Sequence, residues 1–254
     1  MIRSLLNKFG LSGPAPDLSE IWVDRATYAV GDIHGRADLL DAMIARISED
    51  AAATGDAAPR VVFMGDYVDR GDQSRQVLER LMDLPRETGW EVHCLRGNHE
   101  VMLAEFLADP ERAAPRWFRN GGLETLLSYQ VGGVGSDPET LRNVRDRLAE
   151  RMGPVRGWLD GLAAKYSTGS VFFAHAGADP HQPIGAQSEQ VLYWGVPAFL
   201  QIPRQDGVWV VYGHYISDTP QLVPRRIGID TGAVFSGQLT AVRIDDGEVR
   251  FLTA

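Results

Sequence analysis

Short apolar runs alternate with amphipathic segments through the first hundred residues of the chain. Each run has the length of a buried strand, and each is followed by apolar residues at the three- and four-residue spacing of a helix face. The strands are predicted at residues 27–30, 61–64 and 90–95, and the helices at residues 39–47, 77–82 and 101–107. Three successive strand–loop–helix units indicate neighbouring, largely parallel strands in one α/β sheet.

The pattern changes between about residues 110 and 166, where we predict a helical insert. Its apolar residues recur at helical spacing in two groups. One helix is expected to carry Trp117, Leu123, Leu126 and Leu127, and a second helix is expected to carry Leu141, Val144 and Leu148.

Strand character returns after the insert and continues to the end of the chain. The predicted strands are at residues 170–174, 208–212, 226–229, 239–244 and 249–252, with a helix near residues 196–200. Asp245, Asp246 and Gly247 separate the last two strands and are typical of a tight hairpin turn. We therefore expect a second sheet that faces the first.

Composition and charge are those of an ordinary folded domain, with 254 residues, 44% hydrophobic and 23% charged. We predict a loose leader at residues 1–25 and a single domain at residues 26–254. The net charge of -9 argues against nucleic-acid binding, which normally uses a basic face. With one cysteine, no signal-peptide core and no apolar run of about 18 residues, we expect a cytoplasmic protein with no membrane partner.

Residues that can bind metals follow five of the predicted strands. They are Asp32, His34, Asp66, Asn98, His175 and His214. One such loop alone is a weak signal, more typical of a turn with a surface histidine. Five are expected to converge, because the carboxyl ends of parallel strands meet at one edge of a sheet. Carboxylate, amide and imidazole groups together suit manganese, iron or zinc better than calcium.

The size of this ligand set predicts two metal ions. A single ion holding six protein ligands would have no open position for water or substrate, whereas two ions that share a carboxylate would. Two-metal sites lower the pKa of bound water and clamp the attacking and leaving oxygens of an in-line displacement at phosphorus. The chemistry that we expect is therefore phosphoryl hydrolysis, with a hydroxide between the ions as the nucleophile.

Four further loop residues have roles in the same chemistry. His99 follows Asn98 and is our candidate general acid, and Asp69 is expected to hold its imidazole protonated and oriented. Arg70 and Arg96 offer planar guanidinium groups to phosphate oxygens. Glu100 has no assigned role beyond that of an anchor for the metal ligands.

These motifs resemble the calcineurin-like metallophosphoesterase superfamily, and more closely its phosphoprotein-phosphatase branch. That branch includes bacterial serine/threonine phosphatases and diadenosine tetraphosphatases. The resemblance covers residues 28–100, 172–177 and 212–214, with a weaker match at residues 120–122. It implies a four-layer α/β/β/α sandwich with a dimetal centre, often supported by manganese. It places Asp32, His34 and Asp66 on one ion, and Asp66, Asn98, His175 and His214 on the other, and it agrees with the roles given to Asp69, Arg70, Arg96 and His99.

The chain departs from the family pattern at two positions. Relatives usually carry a phosphate-contacting arginine two residues after a tryptophan, but Val196 takes this place after Trp194. Tyr215 follows His214 where threonine is common. The arginines that could replace the missing one are Arg204, Arg225 and Arg226.

Three functions remain open on the sequence alone. The leading hypothesis is a serine/threonine protein phosphatase-type phosphomonoesterase that acts on a phosphorylated protein or a small phosphoester, with manganese as the expected metal and iron or zinc as alternatives. The second is hydrolysis of dinucleoside polyphosphates such as diadenosine tetraphosphate. The third, motivated by Val196, is a weakly catalytic sensor or scaffold that binds metal and phosphate.

Overall fold

A computed structural model describes residues 16–254 of the chain. The first fifteen residues of the predicted leader lie outside this range. Residues 16–25 contain no helix or strand, yet Ile21 and Val23 are buried in the core between the two sheets. The boundary of the domain near residue 26 stays a prediction, although part of the segment before it contributes to the core.

Residues 16–254 form ten strands and ten α-helices. The strands are β1 (Thr27–Val30), β2 (Arg60–Phe63), β3 (Glu91–Cys94), β4 (Tyr166–Thr168), β5 (Val171–Phe173), β6 (Trp209–Tyr212), β7 (Gln221–Val223), β8 (Arg226–Gly228), β9 (Thr240–Asp245) and β10 (Glu248–Thr253). The helices are α1 (Ala37–Ala53), α2 (Ser74–Thr88), α3 (Asn98–Ala108), α4 (Pro110–Arg119), α5 (Gly122–Ser128), α6 (Pro138–Met152), α7 (Pro154–Asp160), α8 (Glu189–Trp194), α9 (Pro197–Gln201) and α10 (Ala233–Ser236).

The first sheet has the strand order β10-β9-β1-β2-β3. Strands β1, β2 and β3 are parallel, which confirms the three strand–helix units predicted from the sequence. The hairpin prediction is also confirmed, because Asp245 pairs with Glu248 across the two-residue turn that joins β9 to β10. These last two strands join the first sheet rather than the second. Strand β9 is buried along most of its length, so it takes a central place beside β1.

The second sheet has the order β4-β5-β6-β8-β7 and packs against the first. Apolar side chains from both sheets fill the space between them, including Ala29, Val62, Val211, Ile227 and Val242. Helices α1 and α2 pack on the outer face of the first sheet, and α8 and α9 pack on the outer face of the second. The predicted four-layer α/β/β/α sandwich is confirmed.

The helical insert differs from its prediction in one respect. The segment expected to form one helix forms two, α4 and α5, which are separated at Asn120 and Gly121. Gly121 has a φ of +99°, a conformation that ends a helix and that glycine adopts without strain. Its carbonyl accepts the backbone N–H of Arg70 at 3.2 Å, so the break brings the insert against a loop of the candidate site.

Within residues 16–254, no helix has the length and apolar character needed to cross a membrane.

Candidate metal centre and active site

The candidate ligands converge where the central strands of both sheets end. The loops after β1, β2 and β3 meet the loops after β5 and β6 at this edge. One expectation is wrong in detail, because Asn98, His99 and Glu100 belong to the first turn of α3 rather than to a loop. The helix begins at Asn98, before the predicted residue 101, because the Glu100 carboxylate accepts the backbone N–H of Gly97 at 2.9 Å and so caps the start of the helix.

Backbone carbonyls orient two of the imidazoles. His34 Nδ1 lies 2.8 Å from the carbonyl oxygen of Val68, and His175 Nδ1 lies 3.0 Å from that of Met64. Since a carbonyl can only accept, each Nδ1 carries the proton and each Nε2 is left as the ligand atom. Burial lowers the pKa of His34 to about 3, which keeps its imidazole neutral, as a metal ligand must be.

The Asp66 carboxylate lies between these two imidazoles. Its Oδ2 is 3.5 Å from His34 Nε2, and its Oδ1 is 3.4 Å from His175 Nε2. Two groups of ligand atoms share this carboxylate, and within each group all atoms lie within 4.8 Å of one another. They are His34, Asp66 and His99, and Asp66, His175 and His214. A carboxylate shared in this way can bridge two ions.

Asn98 and His214 complete the second group. Asn98 Oδ1 lies 2.9 Å from both His175 Nε2 and His214 Nδ1, so an amide oxygen and two ring nitrogens face one point. Burial and the neighbouring His175 together lower the pKa of His214 to about 4, so this imidazole is also neutral. Three such donors beside a carboxylate suit a divalent transition metal.

Asp32 supplies an independent test of whether these residues fit a metal. Its Oδ2 accepts the backbone N–H of His214 at 3.0 Å, whereas its Oδ1 is buried and has no hydrogen-bond partner among residues 16–254. A buried carboxylate oxygen without a partner is costly unless a cation binds it. Burial, with the charges of Asp230 and Asp66, raises the pKa of Asp32 well above its usual range. The donor set therefore fits divalent cations.

Asp230 is a residue of the centre that our sequence analysis missed. It is 4% exposed and lies against Asp32 at the end of β8. The signal that could have found it is the one used for the other ligands, a carboxylate directly after an apolar strand. Its Oδ1 accepts the backbone N–H of Gly232 at 2.9 Å, which fixes the loop that follows.

The general-acid pair is assembled as predicted from the sequence pattern, although its role stays a proposal. His99 Nδ1 lies 2.7 Å from Asp69 Oδ2, and both residues are buried. Burial lowers the pKa of His99, but the carboxylates of Asp66 and Asp69 outweigh that effect and raise it. The imidazole is therefore held in its protonated form over a wider range of pH than a free histidine.

Two residues of the helical insert hold Asp69 in place. Trp117 Nε1 donates to Asp69 Oδ1 and Oδ2 at 3.0 and 3.1 Å, and the Thr125 hydroxyl donates to Asp69 Oδ1 at 2.7 Å. Both residues are fully buried. The insert thus fixes the carboxylate that orients His99, a role that nothing in its own sequence indicated.

The two predicted phosphate-binding arginines occupy different places. Arg70 points into the centre, where its two terminal nitrogens lie 2.8 Å from His34 Nε2 and 3.0 Å from His99 Nε2. Arg96 is directed toward the end of α7 instead, where one nitrogen donates to the carbonyls of Leu159 and Asp160 at 2.7 and 3.0 Å. Arg70 is therefore the guanidinium that the structure brings to the ligands.

The arginines considered as replacements at Val196 bind elsewhere. Arg204 pairs with Asp206, Arg225 pairs with Glu20, and Arg226 donates to the carbonyl of Phe199. A cation nevertheless reaches the end of α8, two residues before Val196, since the Arg116 guanidinium carbon of α4 lies 4.1 Å from the centre of the Trp194 ring. The bulk of Tyr215 is accommodated because its hydroxyl packs where a side chain at Gly195 would be.

Several residues of the centre have a strained backbone. His34, Asp66, Asp69, Arg70 and His214 all have a φ between 45° and 71°. For residues other than glycine this left-handed conformation costs about 1–3 kcal/mol each. Such strain persists only where surrounding contacts impose it, and it concentrates at functional sites.

Glu100 imposes the conformation of the Asp66 loop. It is 3% exposed, and its carboxylate accepts backbone N–H groups of Asp66 and Tyr67 at 2.8 Å, Gly97 at 2.9 Å and Val68 at 3.3 Å. A methyl group at Gly97 would collide with Asp66, so glycine is needed for α3 to begin this close to the Asp66 loop. The sequence indicated only that Glu100 could be an anchor, and these contacts show that it anchors the backbone of the Asp66 loop.

Glu100→Gln is expected to lower the free energy of unfolding by about 3 kcal/mol, because an amide NH₂ group would face backbone donors and the buried charge that accepts them would be lost. Urea unfolding measures the change. The control is Glu105→Gln on the same helix, which is only near Arg116 at 4.0 Å and should change stability by less than about 0.5 kcal/mol. Equal losses in the two variants would contradict the anchoring role.

The fold and the shared carboxylate together define a class, the two-metal phosphoester hydrolases. Residues 27–218 match the sequence profile of Metallophos, the calcineurin-like phosphoesterases. The chain belongs to the calcineurin-like phosphoesterase family and is a metal-dependent phosphoesterase.

Similar proteins include three curated enzymes named bis(5'-nucleosyl)-tetraphosphatase PrpE [asymmetrical]. That of Geobacillus thermodenitrificans is 28% identical over 84% of this chain and 88% of its own. The enzyme of Geobacillus sp. strain WCH70 is 31% identical over 73% of this chain and 76% of its own. That of Bacillus subtilis is 29% identical over 86% of this chain and 91% of its own.

Solved structures with the same fold include a candidate diadenosine tetraphosphatase and a protein serine/threonine phosphatase from Saccharomyces cerevisiae. The first has a TM-score of 0.58 and 20% identity, and covers 94% of this chain and 96% of its own. The second has a TM-score of 0.57 and 15% identity, and covers 91% of this chain and 79% of its own. At these identities the likeness shows the fold alone.

Proposed function

We propose that this protein hydrolyses dinucleoside polyphosphates, with diadenosine tetraphosphate as the model substrate. The observation that carries the phosphoryl chemistry is the Asp66 carboxylate between two groups of ligand atoms. The substrate class is supported by the relatives named asymmetrical bis(5'-nucleosyl)-tetraphosphatase, which match most of both chains. The second of our sequence-based hypotheses is thus favoured over the first.

The ligands divide into two sets in this proposal. Asp32, His34 and Asp66 would hold one divalent ion, with His99 beside them as the acid rather than a ligand, and Asp66, Asn98, His175 and His214 would hold the other. When bound, such a pair of ions supplies an activated water and neutralises the charge on phosphate oxygens. Manganese is the ion that we expect, with iron and zinc as alternatives, and the cytoplasm is the expected location.

The remaining residues act on the phosphate and the leaving group. Arg70 binds a phosphate oxygen through its planar guanidinium group and stabilises the charge that builds up there. Once Arg70 exchanges its contact with His99 Nε2 for a phosphate oxygen, that nitrogen can carry the proton that His99 gives to the oxygen leaving phosphorus, while Asp69 accepts from Nδ1 and keeps the ring in place. Arg96 remains a candidate for a more distant phosphate if it exchanges its carbonyl partners for one.

The reaction is tested with protein loaded with Mn²⁺ and diadenosine tetraphosphate, followed by chromatography of the nucleotides. Asymmetrical cleavage at one end phosphate yields ATP and AMP. Failure to form nucleotide products above the level of an inactive Asp66→Asn variant would exclude this substrate class.

A phosphoserine peptide in the same assay tests the serine/threonine phosphatase hypothesis, which rests on the resemblance of residues 28–100 to that branch. Faster turnover of the peptide than of the dinucleotide would reverse our order of preference. The sensor hypothesis predicts binding of both substrates with little turnover. The buried His99–Asp69 pair argues against this hypothesis, because a binding module has no need of a general acid.

A further inference from the structure

An exposed aromatic ring stands beside the guanidinium group of the centre. Phe235, on α10, is 71% exposed, and the centre of its ring is 6.0 Å from the guanidinium carbon of Arg70. Ile216, two residues after the ligand His214, is 53% exposed. Both side chains approach Gly232, which has no side chain to separate them. We call Phe235 and Ile216 the apolar shelf.

The shelf rests on a fixed backbone. Ala233 is buried in the core beside the first sheet, and its carbonyl accepts a hydrogen bond from Arg36 at 3.2 Å. The backbone N–H of Gly232 donates to Asp230, which itself lies against the ligand Asp32. The ring is therefore held at a defined place relative to the metal ligands.

Single exposed apolar residues are common on protein surfaces and need no explanation. The shelf differs because two large apolar groups adjoin a site made of carboxylates, imidazoles and a guanidinium group. An apolar surface in that position is useful when the substrate joins an apolar part to a phosphate.

We propose that Phe235 stacks against a nucleobase of the substrate while Arg70 holds an adjacent phosphate, with Ile216 contacting the edge of the base or its ribose. The proposal rests on the hydrolysis of dinucleoside polyphosphates and names the part of the substrate that the shelf recognises. Bases stack on aromatic side chains irrespective of their hydrogen-bonding edges, because every base has a π-face.

The distance from ring to guanidinium group suits a nucleotide. A base and its α-phosphate are separated by one sugar, which is a span comparable to the gap between Phe235 and Arg70. Arg70 also contacts His99 Nε2 at 3.0 Å, so a phosphate held there lies beside the candidate general acid. An apolar peptide side chain would gain more from an enclosing pocket, whereas Phe235 presents a largely open face.

The test compares two non-hydrolysable ligands that differ only in the adenosine, α,β-methylene-ADP and methylenediphosphonate, by calorimetry on Mn²⁺-loaded protein. We expect Phe235→Ala to weaken binding of methylene-ADP about 5- to 100-fold and to change binding of methylenediphosphonate by less than about twofold. Phe235→Trp should preserve the affinity for methylene-ADP. Trp22→Ala removes another exposed ring, at the opposite end of β5, and should leave both affinities unchanged.

Equal affinity of the wild type for the two ligands would overturn the proposal, as would a loss of affinity for both ligands in Phe235→Ala. Phe235→Leu keeps an apolar side chain should the alanine variant fail to fold, and it should still weaken methylene-ADP binding. If Phe235→Ala binds a phosphoserine peptide more weakly than the wild type does but binds methylene-ADP equally well, the shelf recognises a peptide instead. If diadenosine tetraphosphate is not hydrolysed but the adenosine preference depends on Phe235, the proposed reaction fails while the base site stands.

Discussion

With a phosphoserine peptide as the probe, chosen because its alkoxide leaving group depends most on an acid, His99→Asn is expected to lower kcat by about 10²- to 10⁴-fold and to leave the metal content unchanged. The physical reason is that asparagine cannot protonate the serine oxygen as it leaves phosphorus, while His99 Nε2, at 3.9 Å from Asp66 Oδ2, is further from the shared carboxylate than the Nε2 atoms of His34 and His175 are. Steady-state kinetics and metal analysis of the purified variant measure the two effects.

The leaving group provides an internal control for this prediction. Nitrophenolate leaves without help from an acid, so the loss of kcat should be much smaller with nitrophenyl phosphate than with phosphoserine. Asn98→Ala, at the neighbouring residue, should instead weaken metal binding. If both variants lose metal equally, the division of roles between Asn98 and His99 is wrong.

Asp66→Asn is expected to weaken binding of both metal ions, by more than about 100-fold each, and to abolish turnover. Changes to residues that only support metal ligands typically cost 10- to 100-fold in affinity, and a shared ligand should cost more. The neutral amide offers one oxygen where the carboxylate offers two, one facing His34 and the other facing His175. Calorimetric titration with Mn²⁺ measures the affinities.

Asp72→Asn is the matched control, because Asp72 is an exposed carboxylate that follows the same loop. It should leave both affinities unchanged. Loss of one ion from Asp66→Asn with the other retained at normal affinity would show that the carboxylate serves a single metal.

Periodicity predicted the parts of the fold whose contacts are local. The parallel strands β1 to β3 follow from alternating strand and helix segments, and the β9–β10 turn follows from its own residues. The candidate ligands could be predicted because each follows an apolar strand. Asp230 shares that pattern, since it directly follows the strand predicted at residues 226–229, and it was overlooked although the same rule applies to it.

Contacts between distant segments account for what the sequence could not predict. Trp117 and Thr125 reach Asp69 across 48 and 56 residues, and no local pattern encodes that approach. The direction of Arg96 is set by two carbonyls at the end of α7, more than sixty residues further along the chain. In the same way, the role of Glu100 depends on backbone N–H groups of the preceding strand–loop unit.

In the proposed hydrolytic centre, the Asp66 carboxylate would join two metal ions. Electron paramagnetic resonance of the wild-type protein titrated with Mn²⁺ measures this arrangement, since ions about 3.5–4 Å apart are magnetically coupled. We predict two Mn²⁺ ions per chain with a coupled signal that appears together with hydrolysis and is absent from Asp66→Asn. A single uncoupled Mn²⁺ ion per chain in a fully active protein would show that hydrolysis does not need a second ion on Asp66.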